Sequence, residues 1–172
     1  MQTESCTTCG KSKSLLNCGV CTVSVCKSCA QILPEDAFSF LTKKKPEMAH
    51  TLFCNSCFDQ HIAADLANYN ETMEKAKEVL VYFKSQSKET RLIRRIEKPI
   101  SVVDCADHDE TLMRLAFVAA QLGCNAVIDI DLVTKKVRLG SYQTQVFSAT
   151  GMPTNVNMRN IVKDRSTWQN PN

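Results

Sequence analysis

Between residues 107 and 123 apolar side chains return every three or four positions. Leu112, Leu115, Ala116, Ala119 and Leu122 share one face, and Met113, Phe117 and Ala120 widen it. That period predicts an amphipathic helix buried against a sheet, with Arg114 and Gln121 on its wet side. Its ends are marked as well. Asp107 can cap the first turn by accepting from the amide three residues on while Glu110 reaches back to it, and Gly123 supplies a left-handed terminating residue. A second stripe, Ile62, Leu66, Tyr69 and Met73, predicts a helix from Phe58 to about Lys77 that serves as a connector or as a dimer seam, the connector being favoured.

Elsewhere the pattern becomes β-like. Val79 to Phe83 and Ile100 to Val103 are short β-branched or aromatic runs suited to strands. Arg91, Arg94, Arg95 and Lys98 between them have the spacing of one helical face, read as a solvated basic stripe. Ala126, Val127, Ile128, Ile130 and Leu132 alternate with Asp129 and Asp131. Lys135-Lys136 is the expected turn into a second strand, Val137 to Ala149, so that a hairpin packs under the capped helix. The two aspartates then share an exposed sheet face, with no neighbouring His motif for acid–base or metal chemistry. Val79 to Phe83 and Val137 to Ala149 are the expected free edges. Leu33-Pro34-Glu35-Asp36 resembles a helix start, with Phe38, Phe40 and Leu41 available to cover a core, and Lys43-Lys44-Lys45-Pro46 reads as a charged loop.

The first 57 residues carry four Cys-x-x-Cys pairs: Cys6/Cys9, Cys18/Cys21, Cys26/Cys29 and Cys54/Cys57. Two intervening residues let a tight turn present both thiolates to one tetrahedral metal, so each pair is half of a Cys₄ shell and the four halves predict two zinc ions. The four-residue gap between Cys21 and Cys26 makes it hard for the second and third pairs to close on one ion, and interleaving is easier. One ion would then take Cys6, Cys9, Cys26 and Cys29, and the other Cys18, Cys21, Cys54 and Cys57. A sequential arrangement, with Cys6/Cys9 joined to Cys18/Cys21, stays open on spacing alone.

The run containing Cys18-Gly19-Val20-Cys21 and Val25-Cys26-Lys27-Ser28-Cys29 resembles a FYVE-type double-zinc finger, and that resemblance implies the interleaved cross-brace. RING fingers share the cross-brace but usually place a His near the fourth ligand, which this chain lacks. The lipid site of FYVE modules is not carried over: only Lys11 and Lys13 lie between Cys9 and Cys26 as basic residues, with no His, Arg or Trp. A phosphoinositide-reading role is therefore disfavoured.

Charge agrees. The formal net charge is +3, but eight thiolates against two Zn²⁺ subtract four and leave the loaded chain near −1. Residues 1–62 hold six Lys and no Arg against five acids, so the finger with metal is acidic, which disfavours nucleic acid as a partner. No apolar leader follows Met1 and no long apolar span occurs, so the expected location is cytoplasmic.

Leu122-Gly123-Cys124-Asn125-Ala126-Val127, with the Ala-rich helix before it and Ser148-Ala149-Thr150-Gly151 later, resembles the YbjQ-like family, whose label is heavy-metal binding. The resemblance spans roughly residues 78–151 and implies an α/β domain whose strand ends in a small-residue Gly turn. Locally, Gly123 would end the helix, Asn125 satisfy turn amides and Ala126 allow close helix–sheet approach. Cys105, Cys124 and His108 could form a third, soft-metal site, although single core cysteines usually act as small hydrophobes.

The expected fold class is α+β: a small cysteine-rich two-zinc finger plus a small α/β sandwich with one buried amphipathic helix on a sheet. The expected organisation is a finger at 1–60, a connecting helix at 61–77, an α/β domain at 78–151 and a flexible tail at 152–172 in which Trp168 docks or anchors a partner. No phosphate loop, His-Glu-x-x-His motif or nucleophile with a spaced His is present, and the thiols of closed zinc shells are inert, so no enzyme is expected. The reading is a zinc-binding adaptor that recognises a protein partner or self-associates. The alternatives are a lipid-directed FYVE module and a metal-sensing or redox-switch protein.

Overall fold

The computed structural model describes residues 5–12, 15–95 and 97–157. Of the tail expected at 152–172, residues 152–154 instead end a strand and Val156 is buried, while Trp168 and residues from 158 on lie outside the described residues. The fold is α+β, in two compact units, Met1–Glu71 and Thr72–Asn172. No described helix is long and apolar enough to cross a membrane.

Little regular structure holds the first unit. Strand β1 (Leu15–Asn17) pairs antiparallel with β2 (Ser24–Cys26), and β3 (Gln31–Ile32) with β4 (Leu52–Phe53). Helix α1 (Asn55–His61) follows, then α2 (Ala63–Lys77), within which the boundary between the units falls. Strands of two and three residues contribute few ladder bonds, so apolar packing and the cysteines must supply the rest. Phe38, Phe53 and Ile62 form a buried cluster with Leu41, Leu66 and Tyr69 around it. The rings of Phe38 and Tyr69 meet edge-on, centroids 5.4 Å apart. The Ile62/Leu66/Tyr69 stripe is thus used inside the unit rather than left as a seam. Residues 34–41 do not begin a helix as expected. They form successive tight turns, with Ala37, Ser39 and Leu41 donating to the carbonyls three residues back, and these turns deliver Phe38 to the apolar cluster.

In the second unit, β5 (Leu80–Phe83), β6 (Ile100–Cys105), α3 (His108–Gln121), β7 (Ala126–Leu139) and β8 (Tyr142–Thr154) make a four-stranded sheet of order β5-β7-β8-β6. β5 runs parallel to β7, and the other pairings are antiparallel. Asp107 caps α3 by accepting from the Glu110 amide at 2.7 Å. The Glu110 carboxylate, however, accepts from the Ala106 amide, not that of Asp107, and also takes Arg114 at 2.8 Å. The Ala106 amide first, then Arg114, hold this carboxyl below its ordinary range. Its contribution is therefore full above that range and is lost as pH falls through the lowered value. At the other end Gly123 is left-handed (φ +73°), and Cys124 donates to the Ala119 carbonyl. Leu122, the C-cap residue of α3, is exposed rather than on the buried face.

Lys135-Lys136 is not a turn: β7 continues to Leu139, and the reversal is the two-residue Gly140-Ser141, with Gly140 at φ +61°. Gly151 is not in a turn but inside β8. The register jumps from Ile128↔Met152 to Asp131↔Thr150, so Asp129 and Ile130 together oppose Gly151 in a β-bulge, with Asp129 left-handed at φ +54°. The bulge changes the parity of the strand. Val127 and Ile130 face α3, packing with Leu115, Ala119 and Ala149, whereas Ala126 and Ile128 face the other way.

That other face is covered too, which the simple hairpin-under-helix picture omits. Ile93 and Val156 pack on Ala126 and Ile128 there, so Ala126 serves this layer rather than the approach of α3. Asn125 likewise bonds both ways with the Val156 backbone, at 2.7 and 3.1 Å, instead of its own turn. The basic stripe is not helical: turns follow the short 3₁₀ segment Lys84–Gln86. Arg95 forks onto Asp129 at 2.6 and 3.0 Å and donates to the Ile93 carbonyl at 2.9 Å, while Lys84 pairs with Asp131. Surface pairs of this kind contribute no more than about 1 kcal/mol, and their role is to hold the Ile93 segment on the sheet.

A Cβ on Gly151 would stand 2.5 Å from Val127 Cγ1 and 3.2 Å from both Ile130 and Leu115 side chains, all three buried. Gly151→Ala should therefore cost about 1–3 kcal/mol in denaturant unfolding through overpacking. Asp107→Ala should cost about 1 kcal/mol through loss of the cap.

Candidate metal centre

The cysteine pairs sit on local structures that orient them differently. Cys6 and Cys9 lie in a tight knuckle closed by the Gly10 amide on the Cys6 carbonyl at 2.8 Å, with Gly10 left-handed (φ +70°). The second knuckle repeats this geometry: the Thr22 amide bonds the Cys18 carbonyl at 3.0 Å, and Thr22 is left-handed at φ +62°. A glycine following Cys9 signals such a turn in sequence, whereas a β-branched threonine after Cys21 gives no such signal. Cys26 and Cys29 occupy the turn leaving β2, with the Cys29 and Ala30 amides on the Cys26 carbonyl at 2.9 and 3.0 Å. Cys54 is the N-cap of α1, its sulfur accepting from the Cys57 amide at 3.5 Å.

The fold brings the first pair to the third and the second to the fourth. Cys6, Cys9, Cys26 and Cys29 form one group, and Cys18, Cys21, Cys54 and Cys57 the other, the four sulfurs of each lying within 4.8 Å of one another. Sγ–Sγ distances of 3.7 Å separate Cys9 from Cys26 and Cys21 from Cys54. A metal–sulfur bond of about 2.3 Å in a tetrahedron implies sulfur–sulfur edges of about 3.8 Å, whereas a disulfide needs about 2.05 Å. All ten cysteines are free thiols. The donor sets fit a tetrahedral thiophilic dication. The sequential alternative does not match this geometry.

Both groups share a dry floor. Val25 is fully buried, and Val20, Val23 and Leu52 pack around the inner thiols, while Cys9 and Cys21 remain exposed. Backbone amides tune the sulfurs. Those of Cys26 and Cys9 pull the Cys6 thiol down to about 6. Burial raises Cys18, but the amides of Cys21, Cys54 and Val20 bring it to about 6. The opposite members hold their protons: Cys29 is pushed up to about 12 by Cys26 and then Cys9, and Cys57 is raised by burial and its neighbouring thiols. Backbone amides thus favour the thiolate at Cys6 and Cys18, while sulfur–sulfur hydrogen bonds and burial favour the thiol at Cys29 and Cys57. A dication removes that difference and lets all four ionise.

Gly19 ties the second group to the chain near His50. Its amide donates to the Leu52 carbonyl at 2.9 Å, and a Cβ there would lie 2.5 Å from His50 Cβ and Cγ.

Cys105, Cys124 and His108 do not come together. Cys105 is buried and directs its thiol at the Val103 carbonyl, 3.7 Å away. His108 bonds Asp109 and stacks on Phe83. Burial raises the half-buried Cys124 thiol. Among the described residues the two Cys₄ groups are the only clusters of three or more candidate metal ligands. No known protein family, curated protein or solved structure matches the chain.

Gly19→Ala must displace the His50–Leu52 segment, and Cys54 follows two residues later. Competition with a chromophoric chelator should show the Cys18/Cys21/Cys54/Cys57 group releasing metal first in this variant. Thr22→Gly relieves a left-handed β-branched residue and should raise the finger's stability by about 1 kcal/mol, read as a higher thermal midpoint of the metal-loaded protein.

Proposed function

We propose that the chain is a non-enzymatic, zinc-dependent interaction protein, in which a FYVE-like cross-brace finger and a YbjQ-like α/β unit serve protein recognition or self-assembly. The interleaving of two four-cysteine groups carries this reading. Four protein sulfurs close a tetrahedral shell and leave no position for substrate or water, which is the signature of a structural rather than a catalytic zinc site. Zinc supplies the folding energy here, because a unit with strands of two and three residues has too little regular structure and apolar core to persist without it.

The lipid-reading alternative finds no support in the basic residues of the finger. The redox-switch alternative has one observation in its favour: Cys9 and Cys21, one from each group, are exposed, where an oxidant could reach a metal-bound thiolate. In that reading peroxide releases zinc reversibly at concentrations that leave the adaptor function of a merely structural finger intact.

Native mass spectrometry of the purified chain should find two zinc ions. Cys26→Ala should leave one, held by Cys18, Cys21, Cys54 and Cys57. A single ion in the unaltered chain, or iron at similar occupancy, would overturn the two-zinc reading.

A further inference from the structure

The β7–β8 hairpin outruns its sheet. β5 pairs with β7 only as far as Ile130, and β6 pairs with β8 only from Phe147 to Gly151. Among the described residues, 133–146 therefore form a two-stranded ribbon with two open edges, and Val133 and Tyr142 on it are 58% and 82% exposed.

The two edges differ in chemistry. Along β7 the edge carries Lys135, Lys136 and Arg138, the kind of charges that keep an open strand from pairing with another chain. Along β8 the edge reads Tyr142-Gln143-Thr144-Gln145-Val146, with no charge, proline or glycine. Nothing guards it. Leu139↔Tyr142 closes a two-residue hairpin, and in such hairpins the closing pair is hydrogen-bonded. The backbone groups of Tyr142, Thr144 and Val146 consequently point to β7, and those of Gln143 and Gln145 point outward.

We infer that this β8 edge is a docking surface for a second copy of the chain, the two strands pairing antiparallel about a two-fold axis at Thr144. The inference rests on the self-assembly branch of the function proposed above and names its surface. In that register Gln143 faces the partner's Gln145 and each exchanges two backbone hydrogen bonds. Tyr142 faces Val146, an aromatic–β-branched pair, and Thr144 faces itself. Every cross-strand pair is uncharged, whereas the same operation on β7 about Lys136 would set lysine against lysine.

Two features beside the edge fit this occupant. A cleft of about 680 Å³ opens where β6 stops, lined by Ala106, Lys136, Gln143, Thr144, Gln145 and Phe147, the lysine reaching it from β7 across the ribbon. The register directs the partner's hairpin tip into it, and that tip is the small pair Gly140-Ser141. The tip also brings Arg138, paired across the ribbon with Gln143, towards the acidic first turn of α3, where Asp107 and Asp109 are exposed. The Arg138 guanidinium and the exposed carboxylates of Asp107 and Asp109 are of opposite charge.

The test is light scattering and sedimentation of the full, zinc-loaded chain across a concentration series, with two variants that leave the β7–β8 ladder intact. Gln145→Pro removes an outward amide, and Thr144→Lys places like charges on the axis. The unaltered chain should be a dimer, and each variant should weaken dimerisation by about tenfold or more with unchanged circular dichroism and two zinc ions. A monomer at all concentrations overturns the inference, as does a dimer that both folded variants leave unchanged. Zinc content is read on the same samples, so failure of the docking surface is distinguishable from failure of the two-zinc reading.

Discussion

The first unit depends on one constraint: four sulfurs must converge within 4.8 Å at each of two points. Because the groups interleave, closing one restrains the other. The first group pins the Cys6 knuckle to the end of β2. The second draws the Cys18 knuckle to the start of α1 and so closes the long segment between Cys29 and Cys54. With that segment closed, its turns place Phe38 against Phe53 and Ile62, and the apolar cluster follows from the metal geometry. Backbone amides lower Cys6 and Cys18 while the neighbouring sulfurs raise Cys29, so the sulfurs of one group do not favour ionisation alike.

The candidate site was largely legible in the sequence because metal spacing is a local, discrete code. Two residues between cysteines specify a knuckle, and a four-residue gap between pairs restricts how knuckles combine. The left-handed Thr22 and the approach of His50 to Gly19 were not legible, since neither has a compositional signal and the latter joins residues thirty-one apart in the chain. The capped helix was legible for a related reason: Asp107, the apolar period and Gly123 act within a few residues of one another.

The sheet was less readable, and the cause is the bulge. Asp129 interrupts the period of two, so an alternation that looks continuous in sequence divides between two faces. Val127 and Ile130 serve the α3 layer, and Ile128 the Ile93 layer. Only the tertiary placement of Gly151 and Arg95 shows why. A glycine is needed where two residues oppose one against Leu115, and the arginine anchors the left-handed aspartate. Lys135 and Lys136 suggest a turn in sequence because charge marks turns and open strand edges alike, and the Gly140-Ser141 pair that makes the reversal is a weak signal.

Each Cys₄ group is arranged to enclose one metal ion with four sulfurs and nothing else. X-ray absorption at the zinc edge on the purified protein measures this directly. The expected result is a single shell of four sulfurs at about 2.3 Å with no nitrogen or oxygen neighbour. A shell containing light-atom ligands, or fewer than four sulfurs per zinc, would contradict it.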